Sequence, residues 1–254
     1  MSRLGEFILH RLCHPMPPDT NPWTPPTANQ QLDGFKNKFA CEIAPYLHEP
    51  ILEIGAGNGI LAEGLRNDGA GRIMVTDYWE KFPHFVEKCV VNSDGLDFAR
   101  ADARALPFGD QAFGTVISED GFEHFLYPTL VLAEVHRVLK DGGALLATFG
   151  PPWLSPRGGH MMFLRPLPWF HLLFSDTTIF NVRKLYRSDG VRSWSEGYSP
   201  LSKITIGQFR RAARITGFHP VVETIWPVHG LKALVKIPLL REFFCNLYAG
   251  IWRK

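Results

Sequence analysis

Cysteine is scarce and scattered in this chain: Cys13, Cys41, Cys89 and Cys245 are the only four in 254 residues. There is no C-x-x-C pair, no zinc-ligand spacing and no H-x-x-E-H pairing, so neither a disulfide scaffold nor a metal site is expected. Read as reduced thiols, the four fit a cytoplasmic protein. No apolar run approaches the roughly 18 residues that a membrane span needs. The opening M-S-R-L-G-E-F-I-L-H lacks the long apolar stretch of a signal peptide. A dominant charge is missing too: 27 Lys and Arg against 25 Asp and Glu leave +2, too little to argue for nucleic acid. No internal repeat is visible. What remains is 45% hydrophobic and 20% charged, ordinary for a globular protein long enough to bury a substantial core, as one large domain or a domain with an insertion.

The order of patterns along the chain sets the fold class. Residues 1–31 read as an extended arm, rich in Pro, Asn and Thr from residue 13 and carrying Trp23. Residues 32–47 read as a helix through Phe35, Phe39 and Ile43. Alternation follows: strands at 51–54, 72–76, 96–100, 114–118 and 144–149, with helices at 60–67, 82–91 and 130–139 between them. A helix at 205–216 and strands at 221–226 and 246–252 complete the series. Seven strands alternating with helices imply a doubly wound, mostly parallel α/β sheet with right-handed crossovers. The expected units are a core at 32–150, a cap insertion at 151–200 and a C-terminal completion of the sheet at 201–254. Fifty residues without a clean period far exceed an ordinary strand-to-helix loop, and such an insertion usually serves function.

One motif localises the site. Glu53-Ile-Gly-Ala-Gly-Asn-Gly59 follows the apolar pair Ile51-Leu52, a strand feeding a glycine turn and then a helix. Glycine lets backbone approach a ligand where a Cβ would collide, and strand carboxyl ends are where open parallel sheets bind small molecules. A dinucleotide site needs G-x-G-x-x-G; here the third glycine comes one position early and Ile60 stands in its place, so a nucleoside without a diphosphate fits better. Asp77 ends the second strand, where an acid accepts ribose hydroxyls. Asp102 ends the third, where it can accept from an adenine amine while Ala103 offers a backbone N–H. Three carboxylates around one crevice repel phosphate and favour a ligand with a positive centre.

Together with A-D-A-R-A-L-P-F at 101–108, Glu123-His124 and E-V-H-R-V-L-K-D-G-G at 134–143, these motifs resemble the class I S-adenosylmethionine-dependent methyltransferases, most nearly the small-molecule branch of ubiquinone-biosynthesis type. The similarity covers about residues 45–150 and implies a Rossmann-like fold. It implies S-adenosyl-L-methionine as cofactor, with Glu53, Gly55, Ala56, Gly57, Asn58 and Gly59 lining its methionine and ribose portion. Asp77 would hold the ribose, Tyr78 would lie against the adenine, Asp102 and Ala103 would hold its edge, and Ser118 and Glu119 would flank the methionine end. Gly114 departs from the family, which usually carries a mainly structural Asp there.

Methyl transfer from a sulfonium needs positioning and water exclusion more than covalent help. An oxygen acceptor adds the need for a base, and imidazole is suited to it near neutral pH. His124, past the fourth strand, and His160, in R-G-G-H of the insertion, are the two candidates; for each the alternative is a hydrogen-bonded structural imidazole. His136 reads as packing. The Gly150-Pro-Pro-Trp153 string lies after the fifth strand with Gly where base-modifying enzymes have Asn, so no nucleic-acid acceptor is expected. The insertion is aromatic and basic, which suits an apolar or glycosyl small-molecule acceptor with an anionic handle. The apolar, basic tail 231–253, with K-A-L-V-K-I-P-L-L-R-E-F-F at 232–244, is expected to form a short helix before Pro238 and a last strand and to pack on the core, in preference to touching a membrane surface. The rival readings are a binding protein or different catalyst on the same fold, and a nicotinamide-dependent oxidoreductase, against which the early glycine and the acids argue.

Overall fold

The computed structural model describes residues 2–14, 25–78, 94–164, 167–197 and 199–254. The helix expected at 82–91, with Cys89, lies outside them, as do Trp23 and Arg165. Strands β1 (Ile51–Ile54), β2 (Ile73–Asp77), β3 (Leu96–Arg100), β4 (Phe113–Ser118), β5 (Leu139–Phe149), β6 (His219–Pro227) and β7 (Cys245–Arg253) form one sheet. Its order is β3-β2-β1-β4-β5-β7-β6. Only β7 runs against its neighbours, pairing antiparallel with both β5 and β6, so the sheet is mostly parallel and seven-stranded as expected. The strand order reverses at β1, which pairs with β2 on one side and β4 on the other. That reversal opens the crevice where open sheets bind ligands.

Helices α2 (Ala28–Asn37), α3 (Ile60–Asn67), α4 (Pro128–Val138) and α7 (Ile206–Ile215) cover the sheet, while α1 (Ser2–Leu12), α5 (Phe170–Leu173) and α6 (Asp176–Arg183) belong to the outer layer. Strand side chains alternate between two cores. Leu52, Ile54 and Val116 meet α4, α7, Tyr248 and Trp252 on one side. Ile51, Ile73, Val75 and Ile117 meet α2 and α3 on the other. Gly114, the departure from the family pattern, has a steric reason: a Cβ there would stand 2.5 Å from the carbonyl oxygen of His48 and 2.9 Å from that of Glu49.

Three expectations are corrected. The N-terminal arm is not extended throughout, because Ser2–Leu12 is a helix whose Leu9, with Cys13 beyond its end, is buried in the core of the cap. A heavy proline count further on had masked an apolar repeat that only cap packing stabilises. Helix α2 starts earlier and stops sooner than 32–47. A Thr27–Gln30 capping box starts it, while Phe39 and Ile43 reach the core from irregular backbone and a 3₁₀ turn (Ala44–Tyr46). The tail before β7 forms no α-helix and packs less closely than expected. It forms two single 3₁₀ turns around Pro238 that bury no residue, and Leu239 remains 85% exposed. Segments this short cannot carry a continuous apolar face to the sheet.

Cap residues bury a separate core of Met161, Leu164, Phe170, Ile179, Phe180 and Trp194. Aromatic edges close it, as where Trp194 meets Trp153 and Phe180 at centroid distances of 5.2 and 5.0 Å. Several of its basic side chains are committed: Arg183 grips Asp189 at 2.6 and 2.7 Å, Arg187 lies over the Phe163 ring at 4.2 Å, and Lys184 donates to Asn181 at 3.0 Å.

Candidate functional site

The turn after β1 is shaped by backbone rather than side chains. Gly55, Gly57 and Gly59 take φ of +63°, +57° and +71°, left-handed values that side chains resist. The Ala56 N–H donates to the Thr76 carbonyl at 3.1 Å, and the Gly57 N–H donates to Asp77 Oδ2 at 2.9 Å. The acid at the end of β2 therefore holds the turn of β1 open.

Beyond the turn lies a cavity of about 750 Å³, a size suited to a nucleoside bearing an amino-acid arm. Glu53, Gly55, Ala56, Gly57 and Asn58 line it, with Asp77, Tyr78, Asp102 and Ala103. Glu119, Asp120, Gly121 and His124 line it too. Gln31 reaches in from α2, and Gly197, Ser199 and Pro200 from the cap. Thus most of the residues singled out from the sequence meet in one place. Three do not line it. Gly59 turns the chain into α3, Ser118 is fully buried at the end of β4, and His160 sits in a small separate void with Glu123, Trp153 and Lys203.

The charges are unevenly satisfied. Arg104 holds Asp102 through its backbone N–H at 2.9 Å and its guanidinium at 2.7 to 3.1 Å, which keeps that carboxyl below its usual range. Glu119 accepts from Gln31 at 2.6 Å and Lys38 at 2.9 Å, and Lys38 also reaches Asp120 at 2.6 Å. Glu53 is different. It is 1% exposed, and its Oε2 has no hydrogen-bond partner. Burial, then Glu119 and Asp77, push its carboxyl well above the ordinary value, against one N–H from Ala62. A buried, underpaired acid facing two others is a receptor for a cation. That donor set suits the ammonium and sulfonium of S-adenosylmethionine and disfavours a diphosphate.

His124 stands at the cap side of the cavity. Its Nδ1 is 2.8 Å from the Pro200 carbonyl and 3.0 Å from Ser199 Oγ. A carbonyl only accepts, so the Nδ1 facing it carries the proton and Nε2 keeps its lone pair. Burial holds the imidazole below its usual pKa, hence neutral at pH 7. His160 Nε2 faces the Pro151 carbonyl at 2.9 Å, and burial pushes this ring down to about 4. The two rings meet edge-on at 5.8 Å. The described cap aromatics do not line this cavity; most of them pack on one another.

A family profile described as a methyltransferase domain matches residues 52–147. Residues 52–147 thus carry a methyltransferase domain, on the fold of the S-adenosylmethionine-dependent methyltransferases. The demethylmenaquinone methyltransferase of Clavibacter sepedonicus is 27% identical over 158 residues, spanning 61% of this chain and 62% of that one; the chain thus matches somewhat less than two thirds of that relative's length. An S-adenosylmethionine-dependent methyltransferase from Mesorhizobium loti superposes with a TM-score of 0.58 at 15% identity, covering 90% of this chain and 98% of the other. The [4+2]-cyclase SpnF shares the fold with a TM-score of 0.55 at 16% identity, over 89% and 80% of the two chains. The methyltransferase domain spans β1 to β5. The cap and α2 lie outside the matched residues, and they supply Gln31, Lys38, Ser199 and Pro200. Sequence reasoning missed these four, since Gln31 stands 88 residues from Glu119 and no local pattern connects them. It also missed Asp120, whose place beside Glu119 in S-E-D-G was a usable signal.

Proposed function

We propose that the protein transfers the methyl group of S-adenosyl-L-methionine to an oxygen of a small molecule or of a sugar- or lipid-linked intermediate. The observation that carries this reading is the buried Glu53 carboxyl, one oxygen of it without a hydrogen-bond partner, beside a glycine turn and with Asp77 and Glu119 nearby. Glu53 would face the positively charged methionine end, Asp77 the ribose hydroxyls, Tyr78 the adenine face, and Asp102 with Ala103 its edge. The cofactor supplies an activated methyl on a sulfonium, a good leaving group. His124 Nε2 would take the proton of the acceptor hydroxyl, and the Pro200 carbonyl facing Nδ1 would stabilise the resulting imidazolium. His160, whose Nε2 meets the Pro151 carbonyl and whose ring meets that of His124 edge-on, would support His124. The name of the Clavibacter relative agrees with the ubiquinone-type branch. The kinship of fold with a cyclase favours one second reading, a non-methylating catalyst on this scaffold; transfer of label from methyl-labelled cofactor to any acceptor would dismiss it.

Calorimetry tests the cofactor reading. S-adenosylhomocysteine should bind and NAD give no heat. A cation beside Glu53 favours its ionised form, so binding should release a proton below the raised ligand-free pKa, and affinity should rise with pH through that window. Binding heats that do not vary with the buffer's ionisation enthalpy would refute the assignment, as would proton release unchanged in Glu53→Gln.

Replacing His124 by alanine should lower kcat by about 10² to 10⁴ while leaving S-adenosylhomocysteine affinity near wild type. The acid limb of the pH–rate profile should fall below the usual imidazole range, because burial disfavours the charged ring. Turnover that survives the substitution would remove His124 as the base.

A further inference from the structure

Helix α1 carries apolar side chains on both of its faces. The inner face is occupied: Leu9 is fully buried, Gly5 approaches Thr178 and Phe174 closely enough that a Cβ would touch both at 3.4 and 3.9 Å, and Glu6 accepts from Asn181 at 2.7 Å. The outer face should then be polar, as on ordinary surface helices. It instead presents Leu4, Phe7, Ile8 and Leu12, exposed by 67, 58, 40 and 44%. These positions, with Arg11, share one side of the helix by the i, i+3, i+4 rule. Neighbouring chain extends the apolar surface: Leu173, next to Phe174 at one end of the helix, is 65% exposed, and Leu185, beside the Tyr186 ring that stacks on His10 at the other end, is 62% exposed.

The exposed charges of the helix itself have one sign. Arg3 and Arg11 are exposed, with the Arg11 guanidinium 5.3 Å over the Phe7 ring, and the sole acid of the helix, Glu6, is turned inward to Asn181. A second copy docking symmetrically would bring these arginines against their own counterparts. A surface that is apolar in the middle and negatively charged above it matches both features, as the acyl–headgroup boundary of an anionic bilayer does. We propose that the outer face of α1 docks the protein on anionic phospholipid membranes, with Leu4, Phe7, Ile8 and Leu12 entering the interface and Arg3 and Arg11 meeting lipid phosphates. No helix among the described residues is long and apolar enough to cross a membrane, so the contact is peripheral. The proposal is independent of which acceptor the cavity takes.

The test is co-sedimentation of the full chain with phosphatidylcholine vesicles, with and without phosphatidylglycerol. Binding is expected to the mixed vesicles only, and to weaken as salt rises. Phe7→Glu/Ile8→Glu should lose about tenfold or more of that binding while keeping the wild-type melting temperature, since both side chains point away from the cap. Should the double variant misfold, Arg3→Gln/Arg11→Gln, which leaves every apolar side chain of the face in place, should lower binding and flatten its salt dependence. Absence of binding to the anionic vesicles would overturn the proposal. So would binding that both variants leave intact, which would shift it to another surface such as the exposed 231–243 tail. A vesicle-free dimer dissolved by Phe7→Glu/Ile8→Glu would also overturn it, by assigning the face to a second copy.

Discussion

Asp77→Ala should weaken S-adenosylhomocysteine binding by about 2 to 3 kcal/mol, some 30- to 150-fold, when measured calorimetrically. Two losses combine. The carboxylate would no longer accept the ligand's ribose hydroxyls. It would also release the Gly57 N–H that Oδ2 now holds at 2.9 Å, so three residues with left-handed φ would lose one anchor and the turn would become less organised before binding. Asp77→Asn separates the two, because the amide oxygen can still accept from Gly57 although it carries no charge. The conservative variant should therefore recover part of the affinity. Equal affinities for wild type and Asp77→Ala would remove Asp77 from the site.

The same substitution, glycine to alanine, should have opposite signs at two helical positions. At Gly34 in α2 nothing stands within 4 Å of an added Cβ, so alanine should stabilise by up to about 1 kcal/mol through helix propensity. At Gly64 in α3 the added Cβ would lie 2.5 Å from the Ala28 carbonyl oxygen and 2.9 Å from Leu32 Cβ. A backbone carbonyl at a helix start cannot rotate aside, so α2 must be pushed away. Overpacking of this kind costs about 1 to 3 kcal/mol and outweighs the propensity gain. Gly64→Ala should lower Tm by roughly 2 to 8 °C in a scanning melt. Because α2 carries Gln31 and Lys38 to Glu119 and Asp120, cofactor affinity should fall with it. A Gly64→Ala protein as stable as wild type would show that α2 and α3 are less closely packed than described.

Most of the sheet was legible because strand and helix periodicities are local. Ile51–Ile54, Leu96–Arg100 and Ile60–Asn67 lie where the pattern set them, and helix α7 ends within a residue of its expected bounds. The errors fell where tertiary packing overrides local signal. Phe35, Phe39 and Ile43 repeat like one helix and are all buried, yet the chain leaves the helix after Asn37. Ser2–Leu12 was hidden by its proline-rich sequel.

What the residues alone determined was the α/β class, the glycine turn at the end of β1 and the acids at the ends of β2 and β3, since a strand end and a turn are specified within a few positions. What only the tertiary structure decided was how each acid is used. Asp102 is neutralised by its near neighbour Arg104. Glu119 and Asp120 are met by Gln31 and Lys38 from more than 80 residues away. Glu53 is left buried with an oxygen unpaired. His124 lines the cavity, and His160, equal to it in sequence, sits in a separate void. Burial and distance set pKa and access, and both arise from contacts between segments that carry no trace of one another in their local patterns.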